Sequence, residues 1–551
     1  MWAGVLIISC SRIEQCADNP FVSEIEQLPG CFFVGNGTEI EFSQYTRRGI
    51  EFFPVMQFLS PLYAIFLLCV IGVFWSVRSN WLRSWLIFLT SLVFYSSLQA
   101  QYVPLLLVAT VINYWLGKAL GVPPDWRIED WQFAQADWNQ RRLRVLSGGI
   151  FLNVLLLLGF KYVPFIFSTI GTTFNLPNLQ QSANWADINL IAPLGLSFFS
   201  FECIAYLVDV YRGAPAAQGF LDFAAYKLFF AKLISGPITR YHPFAGQFQA
   251  IQAPQMPQIT EGLWLIACGA IKKGLVADRL NGLVNLSFDN IQRAGSTDLW
   301  IAIVAYGFQL YLDFSGYVDV ARGSALLLGI ELPENFNFPY LSTSVADFWR
   351  RWHMTLGEWL RNYLYFPLGG SRQGLIRTCF NLILVMLIAG IWHGAAWGFI
   401  AWGGIHGIGL AIHRVNDAIA KRFEWIEVCW SSLPGLIIGW ALTQALVFVS
   451  WIFFRLPNVD SAFQVVQRLW GASADVQYAQ KVYGEGFGLY PPQIGMLFGA
   501  IVFVMLLTYI FQRGLKLNLT WHLKLLLIPL CWYVVWQLSP EAGSRYIYFD
   551  F

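Results

Sequence analysis

Two histidines stand out as candidates for chemistry. His393 lies in IAGIWHGAAWGFIAWGGIHG, residues 388–407, where no carboxylate falls within a helical turn to act as its structural partner. An ionisable side chain inside an apolar run is costly and is usually kept for function; a neutral imidazole making one hydrogen bond between helices is the plainer alternative. Gly390, Gly394 and Gly398 form a small-xxx-small row that permits close helix approach, and Trp397 falls one turn from His393 on the same side. His353 lies in DFWRRWHMTLGEWLRNYLYFPLGG, residues 347–370, which gathers three arginines, two acids and three tryptophans. Drawn as one amphipathic helix of about 17 residues, the segment puts Trp349, Trp352, His353, Leu356, Trp359, Leu360 and Tyr363 on one face, and Arg350, Arg351, Glu358, Arg361 and Asn362 on the other. Such a helix either lies in the membrane interface with snorkelling arginines or re-enters the protein where its charges line a wet cavity. His406, Gly-flanked and nearer a helix end, reads as structural. His242, His413 and His522 lie near charged or loop segments and carry no assigned role.

The elements that must position these residues are membrane helices. Hydrophobic residues make up 56% of the 551 and charged residues 12%, against about 25% charged in an ordinary soluble domain. Mean hydropathy is +0.52. A net charge of +2 gives no reason to expect nucleic acid. Runs of about 20 apolar residues mark spans near 58–76, 82–98, 102–120, 146–168, 190–210, 259–285, 299–328, 378–400, 433–455, 494–512 and 521–538, with a shorter Gly-rich stretch at 400–415 that reads as half-buried. Basic residues collect in 118–144, 366–378 and 414–422, which places those loops in the cytoplasm; 173–189, with no basic residue, and the nearly balanced 457–492 fall outside. Six of the nine cysteines lie in or beside apolar runs, and none has CxxC or Cys/His metal spacing, so no metal is expected. Residues 1–55 hold no span of adequate length, and Met56 opens the first convincing one; the segment reads as an extension, or as translated upstream sequence ahead of a start at Met56, and the membrane domain as 56–551.

Taken together, WRRWHMTL and a WHG some 40 residues further on, in an apolar helix, resemble the membrane-bound O-acyltransferase (MBOAT) superfamily. So do APLGLSFFSFECIAYLVDVYRG (192–213), KLISGPITRYHPF (232–244), FQLYLDFSGYVDVARGSALLLGIELPENFNFPY (308–340) and the terminal YIYFDF. The resemblance is to the bacterial branch that contains the alginate O-acetylation membrane protein and the related D-alanyl transfer protein of teichoic acid. It covers Met56 to Phe551 and leaves residues 1–55 unmatched. It implies an all-α polytopic fold: a ring of about 11–12 transmembrane helices, long enough to cross the bilayer, with a thin centre, re-entrant segments near 215–245 and 340–370, and a funnel on each side. The family's signature histidine falls on His393 and its second histidine on His353, both near a tunnel from a cytoplasmic donor side to the outer face.

The implied chemistry is consistent with these residue types. An acyl thioester is already activated, so the protein must bring up a hydroxyl, take its proton and stabilise an oxyanion. An imidazole kept neutral by apolar surroundings can accept that proton, which makes His393 the general base. His353 is then an oxyanion donor or a positioning residue. Arg350, Arg351 and Arg361 suit the phosphates of coenzyme A or of lipid headgroups. The resemblance further implies an acetyl-CoA or other acyl thioester substrate with no permanently bound cofactor, a secreted or periplasmic acetyltransferase partner, and a multi-pass place in the inner (plasma) membrane. D-alanyl transfer to teichoic acid is the alternative within the family. A transporter or export scaffold is the alternative outside it, although broken helices in corresponding halves are not found.

Overall fold

The computed structural model describes residues 56–123, 131–189, 191–540 and 543–549; the extension 1–55 lies outside the described residues. Among them all regular structure is helical, as hydrocarbon surroundings require, because a helix satisfies its own N–H and C=O groups. Every apolar run placed from the sequence contains helix. Among the described residues, seven stretches are long and apolar enough to cross a membrane: Asn80–Leu120, Gln135–Thr173, Ser296–Leu327, Gly374–His393, Leu433–Arg455, Pro491–Gly514 and Trp521–Leu538. The last two turn their apolar side chains outward, with Leu526 73% and Trp536 79% exposed, a surface that only lipid or a partner helix could cover.

Side-chain hydrogen bonds define the first turns of the chain. Ser60 Oγ accepts from the Tyr63 N–H at 3.1 Å and Pro61 opens α1 (Pro61–Ser76). α2 (Asn80–Gln99) and α3 (Val103–Leu120) form an antiparallel pair. Near their outer ends Ser84 donates to Asp222 and Tyr114 to the Gln218 carbonyl, whereas at the turn Gln99 accepts from the Leu194 N–H and Tyr102 donates to the Ile191 carbonyl. Arg142, on α4 (Trp131–Leu157), donates to the carbonyls of Leu120, Val210 and Tyr211 and so ties the end of α3 to that of α6 (Leu196–Tyr211). Between α4 and α5 (Val163–Thr173) lies one π-turn, Leu158–Tyr162.

The expected re-entrant region near 215–245 is helical only in part. After α7 (Phe220–Leu228) the backbone leaves helical geometry, and residues 223–239 are buried throughout. Irregular backbone at this depth is tolerable because protein rather than lipid surrounds it. Glu202 of α6 holds it: its carboxylate meets Lys227 at 3.0 Å and Lys232 at 2.6 Å and accepts from the Thr239 N–H at 3.0 Å.

α8 (Met256–Ala270), a second π-turn and α9 (Asp278–Phe288) lead to α10 (Ser296–Leu327), the most enclosed long helix described. α8 and α10 cross at small residues: a Cβ on Gly269 would stand 2.6 Å from the Gly316 carbonyl oxygen, and one on Gly323 2.5 Å from that of Gly262. Lys273 bridges Asp313 at 2.6 Å and Asp278 at 2.8 Å in the interior. The same charges anchor the end of the chain, since Lys273 also donates to the Arg545 carbonyl, Ser544 to Asp278, and the Ile547 N–H to Asp313.

Two local readings of the sequence are corrected here. The 347–370 segment is not one helix. α11 (Val345–Arg351) stops at Trp352, and His353 adopts φ 44°, ψ 55° before α12 (Met354–Leu360) begins. The buried and charged faces survive the break: Trp352, His353, Leu356, Trp359, Leu360 and Tyr363 are buried, while the Arg350 side chain is 71% exposed. Likewise, Gly390, Gly394 and Gly398 do not line one helix. α13 (Gly374–His393) ends at His393, Gly394 is extended, and α14 (Trp397–Ala420) folds back along α13, with Gly390 and Gly403 facing each other at the crossing. Trp397 is therefore exposed, and the half-buried stretch expected at 400–415 belongs to a full helix. α15 (Leu433–Arg455), α16 (Pro491–Tyr509) and α17 (Trp521–Leu538) complete the chain's long helices.

Candidate active site

His353 and His393 come together in one aromatic cluster. The His393 ring packs against Trp392, Trp402 and Phe454 with centroids 4.8, 5.0 and 5.1 Å away. Trp392 in turn lies 6.2 Å from His353. Tyr548, from the chain's last turn, stands 6.1 Å from His353 and 6.0 Å from His393 and stacks on Phe314 at 3.9 Å. The two histidines thus flank Trp392 and Tyr548.

His353 occupies the left-handed region, a conformation that costs a non-glycine residue about 1–3 kcal/mol and persists where surrounding structure enforces it. The brace is Asn335. Its Oδ1 accepts from the Thr355 N–H at 3.1 Å and the Thr355 hydroxyl at 2.9 Å, and stands 3.2 Å from His353 Nδ1. The backbone donor fixes this oxygen as an acceptor, so His353 Nδ1 carries the hydrogen. Burial favours the neutral ring, whose Nε2 then presents a lone pair.

Four buried ring nitrogens in this cluster have no hydrogen-bond partner among the described residues: His353 Nε2, His393 Nδ1, Trp392 Nε1 and Trp402 Nε1. Buried polar atoms are normally paired, so a concentration of orphans calls for an explanation; a polar reactant passing between these rings would supply one. His406 differs. It accepts from Trp349 Nε1 at 3.3 Å and meets the Ser450 hydroxyl at 2.9 Å, which satisfies both ring nitrogens as a structural histidine requires.

Two cavities are lined by polar and charged residues. The larger, about 630 Å³, is lined by His393 with Lys161, Asn281, Asn285, Gln309, Arg455 and Arg545 among others. The smaller, about 320 Å³, is lined by Asn337, Asp347, Arg350, Arg351, Tyr509 and Arg513. The first lies beside the end of α15 and Tyr306 and Gln309 of α10; the second lies between Asn337, α11 and the residues at the end of α16. His393 lines the first cavity; neither histidine lines the second, whose Arg351 precedes His353 by two residues. Arg350 and Arg351 share Asp347, at 3.7 and 2.8 Å, and Arg513 adds an unexpected third cation. Arg361 does not line this cavity; its neighbours Glu358 and Asn362 meet Arg240 and Arg212 instead.

A helical membrane protein with two histidines buried in one aromatic cluster, one of them lining a polar cavity, defines the class of protein, and comparison with known proteins defines the family. The membrane-bound O-acyltransferase family model matches residues 98–442. The chain is 35% identical over 416 residues to a peptidoglycan O-acetyltransferase of Helicobacter pylori, covering 71% of this chain and 74% of that protein. It is 35% identical over 404 residues to the protein named "Probable alginate O-acetylase AlgI" of Azotobacter vinelandii, covering 73% and 75%. A teichoic acid D-alanyltransferase of Bacillus subtilis is 27% identical over 261 residues, 45% of this chain and 66% of that one. The chain belongs to the MBOAT family. It is a multi-span membrane O-acyltransferase.

Proposed function

We propose that this O-acyltransferase moves an acetyl group from a cytoplasmic thioester through the histidine cluster to an acceptor on the outer side, for O-acetylation of an extracellular or cell-wall glycan, by way of a secreted acetyltransferase. The observation that supports this reading is the meeting of His353 and His393 in one buried aromatic cluster, with His393 lining a polar cavity of about 630 Å³. Arg350, Arg351 and Arg513 receive the phosphates of coenzyme A, because clustered guanidinium groups suit phosphate recognition. His393 takes the proton of the acceptor hydroxyl as its oxygen attacks the thioester carbonyl. The C–S bond breaks, the C–O ester bond forms, and the proton passes to the leaving thiolate. Of the two roles the sequence left open for His353, positioning suits its tautomer, since a neutral ring with hydrogen on Nδ1 accepts at Nε2 and donates nothing there. The indole N–H groups of Trp392 and Trp402 are the donors for the oxyanion.

The names of the relatives that cover most of this chain support acetyl over D-alanyl transfer and an exopolysaccharide or cell-wall acceptor. Purified protein in lipid nanodiscs is given a glycan bearing free hydroxyls as acceptor together with labelled acetyl-CoA or a labelled D-alanyl carrier-protein thioester. Release of coenzyme A from the first alone is the expected result. Turnover of the second alone overturns the acetyl assignment.

A further inference from the structure

The helix that carries His393 ends where most helices would leave carbonyls unpaired. The last four C=O groups of an α-helix have no partner within it, and for α13 these belong to Gly390, Ile391, Trp392 and His393. Because Gly394 is extended, the chain cannot close a normal C-terminal turn over them. Each is nonetheless satisfied. Gly390 accepts from the Gly394 N–H at 3.4 Å. Ile391 accepts from the Tyr162 hydroxyl. Trp392 and His393 both accept from the Lys161 ammonium, at 2.8 Å each.

Lys161 and Tyr162 are adjacent in the π-turn Leu158–Tyr162 between α4 and α5. An ordinary α-helical register would not carry two consecutive side chains to the same helix end, because neighbours diverge by about 100°. The wider π-turn changes that spacing, and Pro164, which has no N–H to contribute to the α ladder, follows directly. The third Lys161 proton faces the Ser197 hydroxyl at 3.5 Å, and no acid pairs with the ammonium among the described residues. Lys161 also lines the larger cavity beside His393. A cation at the carbonyl end of a helix is favourably placed, and this one holds the very residue that bears the imidazole.

We infer that Lys161 is a positioning residue of the transfer reaction: with Tyr162 it fixes the end of α13 and thereby aims the His393 ring. The inference rests on His393 being the general base. A lysine that merely capped a helix would affect folding and abundance; a positioning lysine affects the turnover of folded protein. The test uses the full chain in membranes, with acetyl-CoA as the probe, a glycan bearing free hydroxyls as acceptor, and coenzyme A release as the readout. Lys161→Met removes the donors at similar length. It should lower kcat by about 10-fold or more, as a misplaced catalytic group does, while the KM for acetyl-CoA stays within about twofold, because the donor's phosphates bind elsewhere. Lys161→Arg, which restores charge and donors, should recover most of kcat. Tyr162→Phe removes one hydrogen bond and should give a smaller fall in kcat at unchanged KM. Unchanged kcat in Lys161→Met at normal abundance overturns the inference. If Lys161→Met fails to accumulate, Tyr162→Phe decides, and an unchanged kcat there overturns it. His393→Ala run alongside separates the two readings: activity in that variant refutes the general base, whereas an inactive His393→Ala beside a fully active Lys161→Met refutes only the role of Lys161.

Discussion

Truncating His393 to alanine should separate catalysis from folding more clearly than any other single change. The ring is 2% exposed and touches Trp392, Trp402, Phe454 and Tyr548, but Nδ1 makes no hydrogen bond that the substitution would break. It also borders an existing cavity of about 630 Å³, so the space vacated joins one already open. The expected loss of stability is about 1–3 kcal/mol, the ordinary range for one substitution. A general base contributes about 10²–10⁴-fold, or about 2.7–5.4 kcal/mol of barrier at 1.36 kcal/mol per decade. Coenzyme A release from acetyl-CoA should therefore fall to about 1% or less of the wild-type rate, with membrane abundance and thermal unfolding close to normal. His393→Gln, which keeps a polar side chain of similar size, should be equally inactive. Wild-type turnover by either variant at normal abundance would refute the assignment, and so would inactivity fully accounted for by loss of folded protein.

Three further outcomes follow from the structure. Trp392→Phe keeps the ring in contact with Phe201 and His393 but loses the unpartnered N–H; kcat should fall by about 10²–10³, as for removal of an oxyanion donor, and an unchanged kcat would exclude Trp392 from that role. Replacing Arg350 and Arg351 together by glutamine should raise the KM for acetyl-CoA by about 10-fold for each 1.4 kcal/mol by which phosphate binding is weakened, with kcat little changed; an unaltered KM would move donor recognition elsewhere. Lys273→Met leaves Asp278 and Asp313 buried without their cation and frees the anchor of the terminal segment, so it should destabilise the protein by about 3–5 kcal/mol, read as a lowered unfolding temperature in detergent; an unmoved transition would contradict that anchoring.

Much of this was legible in the sequence because hydrocarbon leaves a chain few options. Runs of apolar residues had to be helices, and His393, isolated in one of them, had to be explained. What escaped was the geometry of the helix ends. His353 sits at a break that no helical wheel reveals, because the cause lies in Asn335, eighteen residues upstream, which braces the turn. Gly394 read as one step in a small-residue row, yet its extended backbone is what turns α14 back along α13. Lys161 was open to the same argument as His393, a lone ionisable residue within an apolar run at 146–168, but nothing local indicates that its partners are carbonyls 231 and 232 residues away. Of the three arginines grouped in 347–370, Arg350 and Arg351 share one cavity, while Arg361 leaves them because the helix does not run straight through. Arg513 joins them from a distant helix end.

The central claim is that the acyl group enters from one face and leaves at the other, and sidedness of the donor tests it most directly. Sealed membrane vesicles of known orientation, containing the full chain and a hydroxyl-bearing glycan acceptor on both faces, are supplied with acetyl-CoA on one face at a time, and coenzyme A release is followed. The orientation is read from a cysteine at Ser473 or at Lys421 labelled by an impermeant reagent, in a background stripped of other reactive cysteines; both positions are exposed, one in the 457–492 loop and the other after α14. Release should occur only when acetyl-CoA meets the face that carries Lys421, Arg350 and Arg351. Equal release from acetyl-CoA on the Ser473 face would contradict transfer across the membrane.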